Sequence, residues 1–207
     1  IAKMAKAAGA DAISVLQPMF IKPTEDELFE HFKAIADSVP DMPMLLYNNP
    51  GRCGYTLSCN LVCRLADEVE NIVGMKDSSG DITQTEEFIR RNRGNGFKVF
   101  AGKDTMIYSA MGLGAAGAGA TTANFIPELV CSIITLHNEG NLKGSLEAQF
   151  QLNPIRLAMD KGSWPVGTKD YANIFGREAG SPYKPNKLSN GNVYKAMVNE
   201  AKKAGLL

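Results

Sequence analysis

Apolar residues recur along this chain in two patterns that take turns. Residues 11–17 (DAISVLQ), 42–47 (MPMLLY), 71–76 (NIVGMK), 97–101 (FKVFA) and the small-residue run 114–122 are short stretches dense in apolar or small residues. Between them the apolar positions fall at helical spacing. Leu28, Phe29, Phe32, Ile35, Ala36 and Val39 share one helix face, and Thr24 with Glu27 forms a capping box ahead of them. Leu57, Leu61, Val62, Leu65 and Val69 mark a second helix, residues 82–93 a third and residues 104–111 a short fourth. The fifth spans 126–139, with Pro127 near its start and Gly140 past its end. Strands that are continuously apolar are buried on both faces, as in a parallel sheet with helical crossovers. After Gly140 only helices are expected: 142–159 broken at Pro154, 168–175 and 193–203, with 181–189 (SPYKPNKLS) as a loop. The expected organisation is an α/β body over 1–140 and an all-helical extension over 141–207. Residues 1–8 already read as the middle of a helix that nothing before Ile1 caps, so the chain is expected to be the later part of a longer protein.

Composition narrows the function. The 207 residues are 44% hydrophobic and 21% charged, ordinary globular usage with enough chain for a sizeable core. Lys+Arg and Asp+Glu both total 22, so no net field draws nucleic acid or an anionic membrane. No apolar stretch nears the roughly 20 residues of a spanning helix, and no signal peptide is visible. Cys53, Cys59, Cys63 and Cys131 read as reduced thiols of a cytoplasmic protein. His31 and His137 sit in separate helices, too few and too far apart for a histidine metal set, so no metal and no cofactor are expected. Gly112 to Gly117 spells G-x-G-x-x-G, but a helix precedes it and a strand follows, the reverse of a dinucleotide site.

In parallel α/β sheets the reactive groups stand at the C-terminal ends of strands. Those ends carry Pro18-Met19-Phe20, Tyr47, Lys76-Asp77-Ser78, Gly102-Lys103-Asp104 and Thr121-Thr122-Ala123-Asn124. A lysine in register with a tyrosine one βα unit earlier is the informative pair. An ammonium does not attack a carbonyl; apolar walls disfavour the charged form and free an amine to form a Schiff base. The resulting iminium is an electron sink, and a phenol beside it carries protons between steps. Lys76 and Tyr47 suit those two jobs. On residue type alone, a solvated strand-end lysine and a packing tyrosine compete with that reading.

Four stretches then resemble one family, the dihydrodipicolinate synthase and N-acetylneuraminate lyase family of Schiff-base pyruvate aldolases. They are Leu46-Tyr47-Asn48-Asn49-Pro50-Gly51-Arg52, the run from Ile72 to Asp81, Ala101-Gly102-Lys103-Asp104, and Gly117 to Asn124. The resemblance implies a TIM (β/α)8 barrel, here only its strands four to eight over 1–140, with the C-terminal helical extension over 141–207. It implies a cytoplasmic lyase acting on a keto acid and an aldehyde, without cofactor, as a homotetramer built from dimers. Lys76 matches the Schiff-base lysine and Tyr47 the proton-relay tyrosine. Arg52 matches the arginine that holds the second substrate's carboxylate in the synthase branch. Ser78, Gly102, Asp104 and Thr121 match substrate-contacting positions. Phe20 stands where the synthase pattern has a tyrosine delivered across the dimer interface, and the Gly-Thr-Thr-Gly-Glu motif for the keto-acid carboxylate is absent from the sequence. Dihydrodipicolinate synthase-like chemistry is the leading expectation. N-acetylneuraminate lyase or 2-keto-3-deoxy sugar acid aldolase activity, and a catalytically incomplete barrel serving binding or assembly, are the alternatives.

Overall fold

Five apolar runs form five parallel strands: β1 (Ile13–Leu16), β2 (Met44–Asn48), β3 (Ile72–Asp77), β4 (Lys98–Ala101) and β5 (Gly117–Ala118). The computed structural model describes residues 1–207. Strand order in the sheet is β1-β2-β3-β4-β5, so every crossover steps to the next neighbour in one direction. Right-handed crossovers that always advance the same way lay every helix on the same face of the sheet. That is the winding of a barrel rather than of a doubly wound sheet, whose order reverses.

The helices of this part are α1 (Ala2–Ala7), α2 (Glu25–Asp37), α3 (Pro50–Cys53), α4 (Cys59–Glu68), α5 (Ile82–Arg91) and α6 (Ile107–Gly112). The capping box opens α2: Thr24 Oγ1 accepts from Glu27 N, and Glu27 Oε2 accepts from Thr24 N at 2.7 Å. Met44, Leu46, Met75 and Val99 from the strands pack with Phe32, Leu65 and Phe88 from the helices, all buried. Burying each such side chain contributes about 1.5–3 kcal/mol. On the opposite face Leu16, Leu45, Tyr47 and Phe100 are only half-buried and Ser14 is exposed.

One irregularity decides what lies on which face. Met44 pairs with Ile72, but Leu45 pairs with Gly74, so Val73 is an extra residue on β3. A one-residue bulge reverses the alternation of side chains beyond it. Ile72 therefore lies in the core, while Lys76, an even number of positions later, lies on the other face opposite Tyr47. Gly74 makes room for the bulge. A Cβ there would stand 2.4 Å from Lys98 O and 2.8 Å from Leu45 Cδ2.

The chain forms two compact units, Ile1–Gly119 and Ala120–Leu207. The division falls earlier than the 140/141 boundary expected from the pattern, because α7 (Pro127–Asn138) packs along α8 (Leu142–Met159), where Ser145 Oγ donates to Ile133 O at 2.6 Å. The second unit also holds α9 (Val166–Ile174) and α10 (Gly191–Lys203). Tyr171 is fully buried there, stacked on Phe125 with ring centroids 4.9 Å apart, and its Oη donates to Met197 O at 3.3 Å. Burial raises the Tyr171 phenol far above its ordinary value, with the nearby Glu200 charge adding to the effect.

Two expectations are corrected. Pro154 does not break its helix: α8 runs unbroken, because the proline is exposed and the carbonyl that loses its donor belongs to the exposed Phe150. The fifth strand is two residues long, not nine, since the chain turns at Thr121–Asn124 into a 3-10 turn closed by Asn124 Nδ2 donating to Thr121 O at 2.8 Å. After β2 the chain enters the short helix α3 at Pro50. No helix is long and apolar enough to cross a membrane.

Substituting Gly74→Ala sets a methyl against a backbone carbonyl at the bulge and is expected to cost about 1–3 kcal/mol. A lowered urea midpoint checks this; an unchanged midpoint would show that the bulge does not depend on glycine.

Candidate active site

Pairing across the sheet aligns Leu16, Tyr47, Lys76, Phe100 and Gly117 in one row, near the C-terminal ends of their strands. Lys76 thus stands between two aromatic neighbours. Its Nζ lies 4.7 Å from the centroid of the Tyr47 ring. A Cβ at Gly119 would stand 3.1 Å from Lys76 Cε, 3.2 Å from Cδ and 3.5 Å from Nζ, so the bare glycine admits the lysine stem. Sequence reasoning passed over Gly119 as one of several small residues. Its position beside the lysine is the only signal that separates it, and spacing does not reveal that.

Ser78 follows Lys76 by two positions and is buried. Gly102 N donates to Asp77 O at 2.8 Å, and a Cβ at Gly102 would lie 2.0 Å from Ser78 Oγ and 2.7 Å from Asp77 O. The structure therefore brings Tyr47, Lys76 and Gly119 together, and joins Ser78 to Gly102 beside them. Asp104 is buried at the start of the 3-10 turn Asp104–Met106 that follows β4. Arg52 is exposed on α3, five residues after Tyr47. Thr121 belongs to the second unit, at the start of its first turn. Phe20 is 99% exposed with φ +77°, a left-handed conformation uncommon for a side chain of that size.

Behind the row, on the core side, sits a cluster that residue-type reasoning missed. Asp77 is buried, and its carboxylate accepts from Asn48 Nδ2 (2.9 Å), Ser79 N (3.1 Å), Ser79 Oγ (2.9 Å) and Thr85 Oγ1 (2.5 Å). Four donors satisfy oxygens that burial would otherwise leave without partners. Asn48, also buried, accepts from Leu57 N at 3.0 Å and donates to Thr56 Oγ1 at 3.1 Å. Gln17, 1% exposed, donates to Tyr55 O at 2.7 Å and accepts from Asn49 N at 3.1 Å. The ends of β1, β2 and β3 are thereby tied to the turns that follow them. Polar residues at or just past the ends of the apolar runs are the available signal.

The four cysteines are free thiols. Burial raises the Cys53 and Cys59 thiols above the ordinary value, which lowers their thiolate content and reactivity. No three His, Cys, Asp or Glu side chains converge as a metal set would.

With this geometry in place, comparison with known proteins is specific. The model of the dihydrodipicolinate synthetase family matches residues 1–202. The chain belongs to that family. It is 38% identical over 165 residues to 4-hydroxy-tetrahydrodipicolinate synthase of Sulfurimonas denitrificans, covering 80% of this chain and 55% of that protein. With the enzyme of the same name from Lachnoclostridium phytofermentans it shares 34% identity over 207 residues, all of this chain and 70% of the relative. The chain thus spans between about half and about two thirds of the length of these relatives. Among solved structures, a prophage protein of the dihydrodipicolinic acid synthase family from E. coli, in complex with pyruvate, superposes with a TM-score of 0.93 at 26% identity, covering 100% of this chain and 70% of that one. The fold is accordingly α/β, five βα units of a TIM barrel followed by a helical C-terminal part.

Gly102→Ala and Gly119→Ala are expected to differ sharply. The first meets backbone and Ser78 at sub-contact distance and should cost about 3 kcal/mol, while the second meets only a flexible lysine stem and should change stability by less than about 0.5 kcal/mol. Thermal midpoints of the two variants check the contrast, and equal losses would contradict it.

Proposed function

We propose that this chain carries the Schiff-base centre of a dihydrodipicolinate synthase-like lyase. The single observation that carries the reading is the juxtaposition of Lys76 and Tyr47 in register across β2 and β3, at strand ends where such barrels keep their chemistry. Support comes from the name shared by the relatives in Sulfurimonas and Lachnoclostridium and from the pyruvate held by the E. coli family member.

In this reading the uncharged Lys76 amine attacks the ketone carbon of pyruvate or another 2-keto acid, and the amine's proton passes to the new alkoxide. Tyr47 Oη then gives a proton to that hydroxyl, which leaves as water and produces the iminium. The iminium draws electrons from the adjacent methyl group; a proton leaves that carbon for the Tyr47 phenolate, and an enamine remains. The enamine carbon attacks an aldehyde, and the new alkoxide takes the proton held by Tyr47 Oη. An amine or water then adds to the iminium carbon and passes its proton to Lys76 as the carbon–nitrogen bond to the lysine breaks, releasing product. Arg52, exposed near the turn after β2, is assigned to the carboxylate of an aldehyde such as aspartate semialdehyde, where its guanidinium fork suits bidentate binding. Ser78, Gly102, Asp104 and Thr121 are assigned to substrate contact.

The protein is proposed to work in the cytoplasm, as its free thiols favour, and as a homotetramer. Exposure of the consecutive apolar residues Met19 (60%), Phe20 (99%) and Ile21 (72%) supports an apolar contact between copies.

Incubation with pyruvate followed by borohydride reduction is expected to add mass to the peptide bearing Lys76. An unmodified peptide in folded protein would sink the enzyme reading. Lys76→Ala should abolish turnover with aspartate semialdehyde, while Tyr47→Phe should slow it by about 10²–10³-fold, in the range of a lost proton-transfer group; equal, mild losses would contradict the roles. Turnover of N-acetylneuraminate or 2-keto-3-deoxy sugar acids in place of aspartate semialdehyde would reassign the branch.

A further inference from the structure

Asn49 occupies the N-cap position of α3, where an asparagine ordinarily spends its side-chain oxygen on the free N–H groups of the helix. Here it makes no such bond. Its Nδ2 donates instead to Tyr47 Oη at 2.9 Å. The amide oxygen points the other way, 3.7 Å from where a Cβ of Gly51 would stand. The backbone of Asn49 is fixed on both sides: its N–H donates to Gln17 Oε1 at 3.1 Å, and its carbonyl accepts from Arg52 N and Cys53 N at 3.0 Å each. Gln17 is itself buried and held by Tyr55 O. An amide anchored this way is pre-organised against the phenol, and its hydrogen bond costs little further ordering.

We propose that Asn49 is a positioning residue for Tyr47. Its N–H occupies one lone pair of the phenolic oxygen, so the phenol's own hydrogen is directed away from Asn49 and is free for transfer. When the phenol has given that proton to the departing hydroxyl, the phenolate keeps a donor, and a charge-assisted bond is the stronger kind. The balance closes when the phenolate takes a proton back from the carbon beside the iminium. The donor comes from the same turn as the tyrosine, two residues along the chain.

The inference rests on the roles proposed for Lys76 and Tyr47, and its test separates the two. Asn49→Leu and Asn49→Asp are each made alone and together with Tyr47→Phe. Aspartate keeps the shape of the amide, accepts, and cannot donate when ionised. Both single variants should lower kcat about tenfold, as the loss of one hydrogen bond to a charged group implies, with KM for pyruvate changed less than about twofold. In the Tyr47→Phe background either change should cost less than about twofold. The final extent of pyruvate trapping on Lys76, though reached more slowly, and the thermal midpoint of the Asn49→Asp variant should match the parent. A tenfold loss persisting without the Tyr47 hydroxyl, or an Asn49→Asp variant with the parent's kcat, overturns the proposal. Should Asn49→Leu lose its thermal midpoint, Asn49→Asp decides alone. A parent that forms no reducible adduct with pyruvate overturns the functional reading, and this inference with it; a parent that traps normally while the coupling is missing overturns the inference only.

Discussion

The extra residue at Val73 is the constraint on which the site depends. Side chains alternate along a strand, so a lysine four positions after a core isoleucine would ordinarily join it among the helices. A charged or reactive amine there would be buried against Phe88 and Leu65 and useless to a substrate. The bulge inserts one step, Gly74 absorbs the crowding by having no side chain, and Lys76 emerges beside Tyr47. Bulges recur beside active sites for this reason: they re-aim a side chain without altering the strand order.

A bulge loosens a ladder, and the neighbouring strand ends compensate. Asp77 lies one residue beyond Lys76 and points the other way, into the core, where four donors from Asn48, Ser79 and Thr85 hold it. Because Asn48 is on β2 and Asp77 on β3, their bond fixes the pairing at the register where Tyr47 meets Lys76. A buried carboxylate with every lone pair engaged tolerates little movement, since each broken bond leaves a desolvated polar atom. The Tyr47–Lys76 row and the polar cluster are thus two faces of the same pair of strand ends, one left accessible and the other locked.

Glycines complete the arrangement from outside the strands that carry Tyr47 and Lys76. Gly102 lets the chain after β4 close on Asp77 and Ser78, and Gly119 leaves space for the lysine stem after β5. Both act by absence of a methyl group, so their roles exist only in relation to atoms far away in sequence. The same holds for Gln17, whose side chain reaches across to the turn after β2.

Much was legible in the residue pattern. Five apolar runs and the helices between them announced a parallel α/β body, because burial and helical periodicity are properties of neighbouring residues. Lys76 and Tyr47 stood out because strand ends are local features and their chemistry belongs to the residue type. Pro154 and the fifth strand were not legible, since whether a proline is tolerated or a small-residue run pairs depends on what surrounds it. Residue pattern alone was enough for the order of elements, for Lys76 and Tyr47 as candidates, and for the family they resemble. Which face Lys76 occupies, what satisfies Asp77, and the turn of Asn49 toward Tyr47 instead of its own helix are visible only in the folded chain. Those are distances between segments dozens of residues apart, and no local rule encodes them.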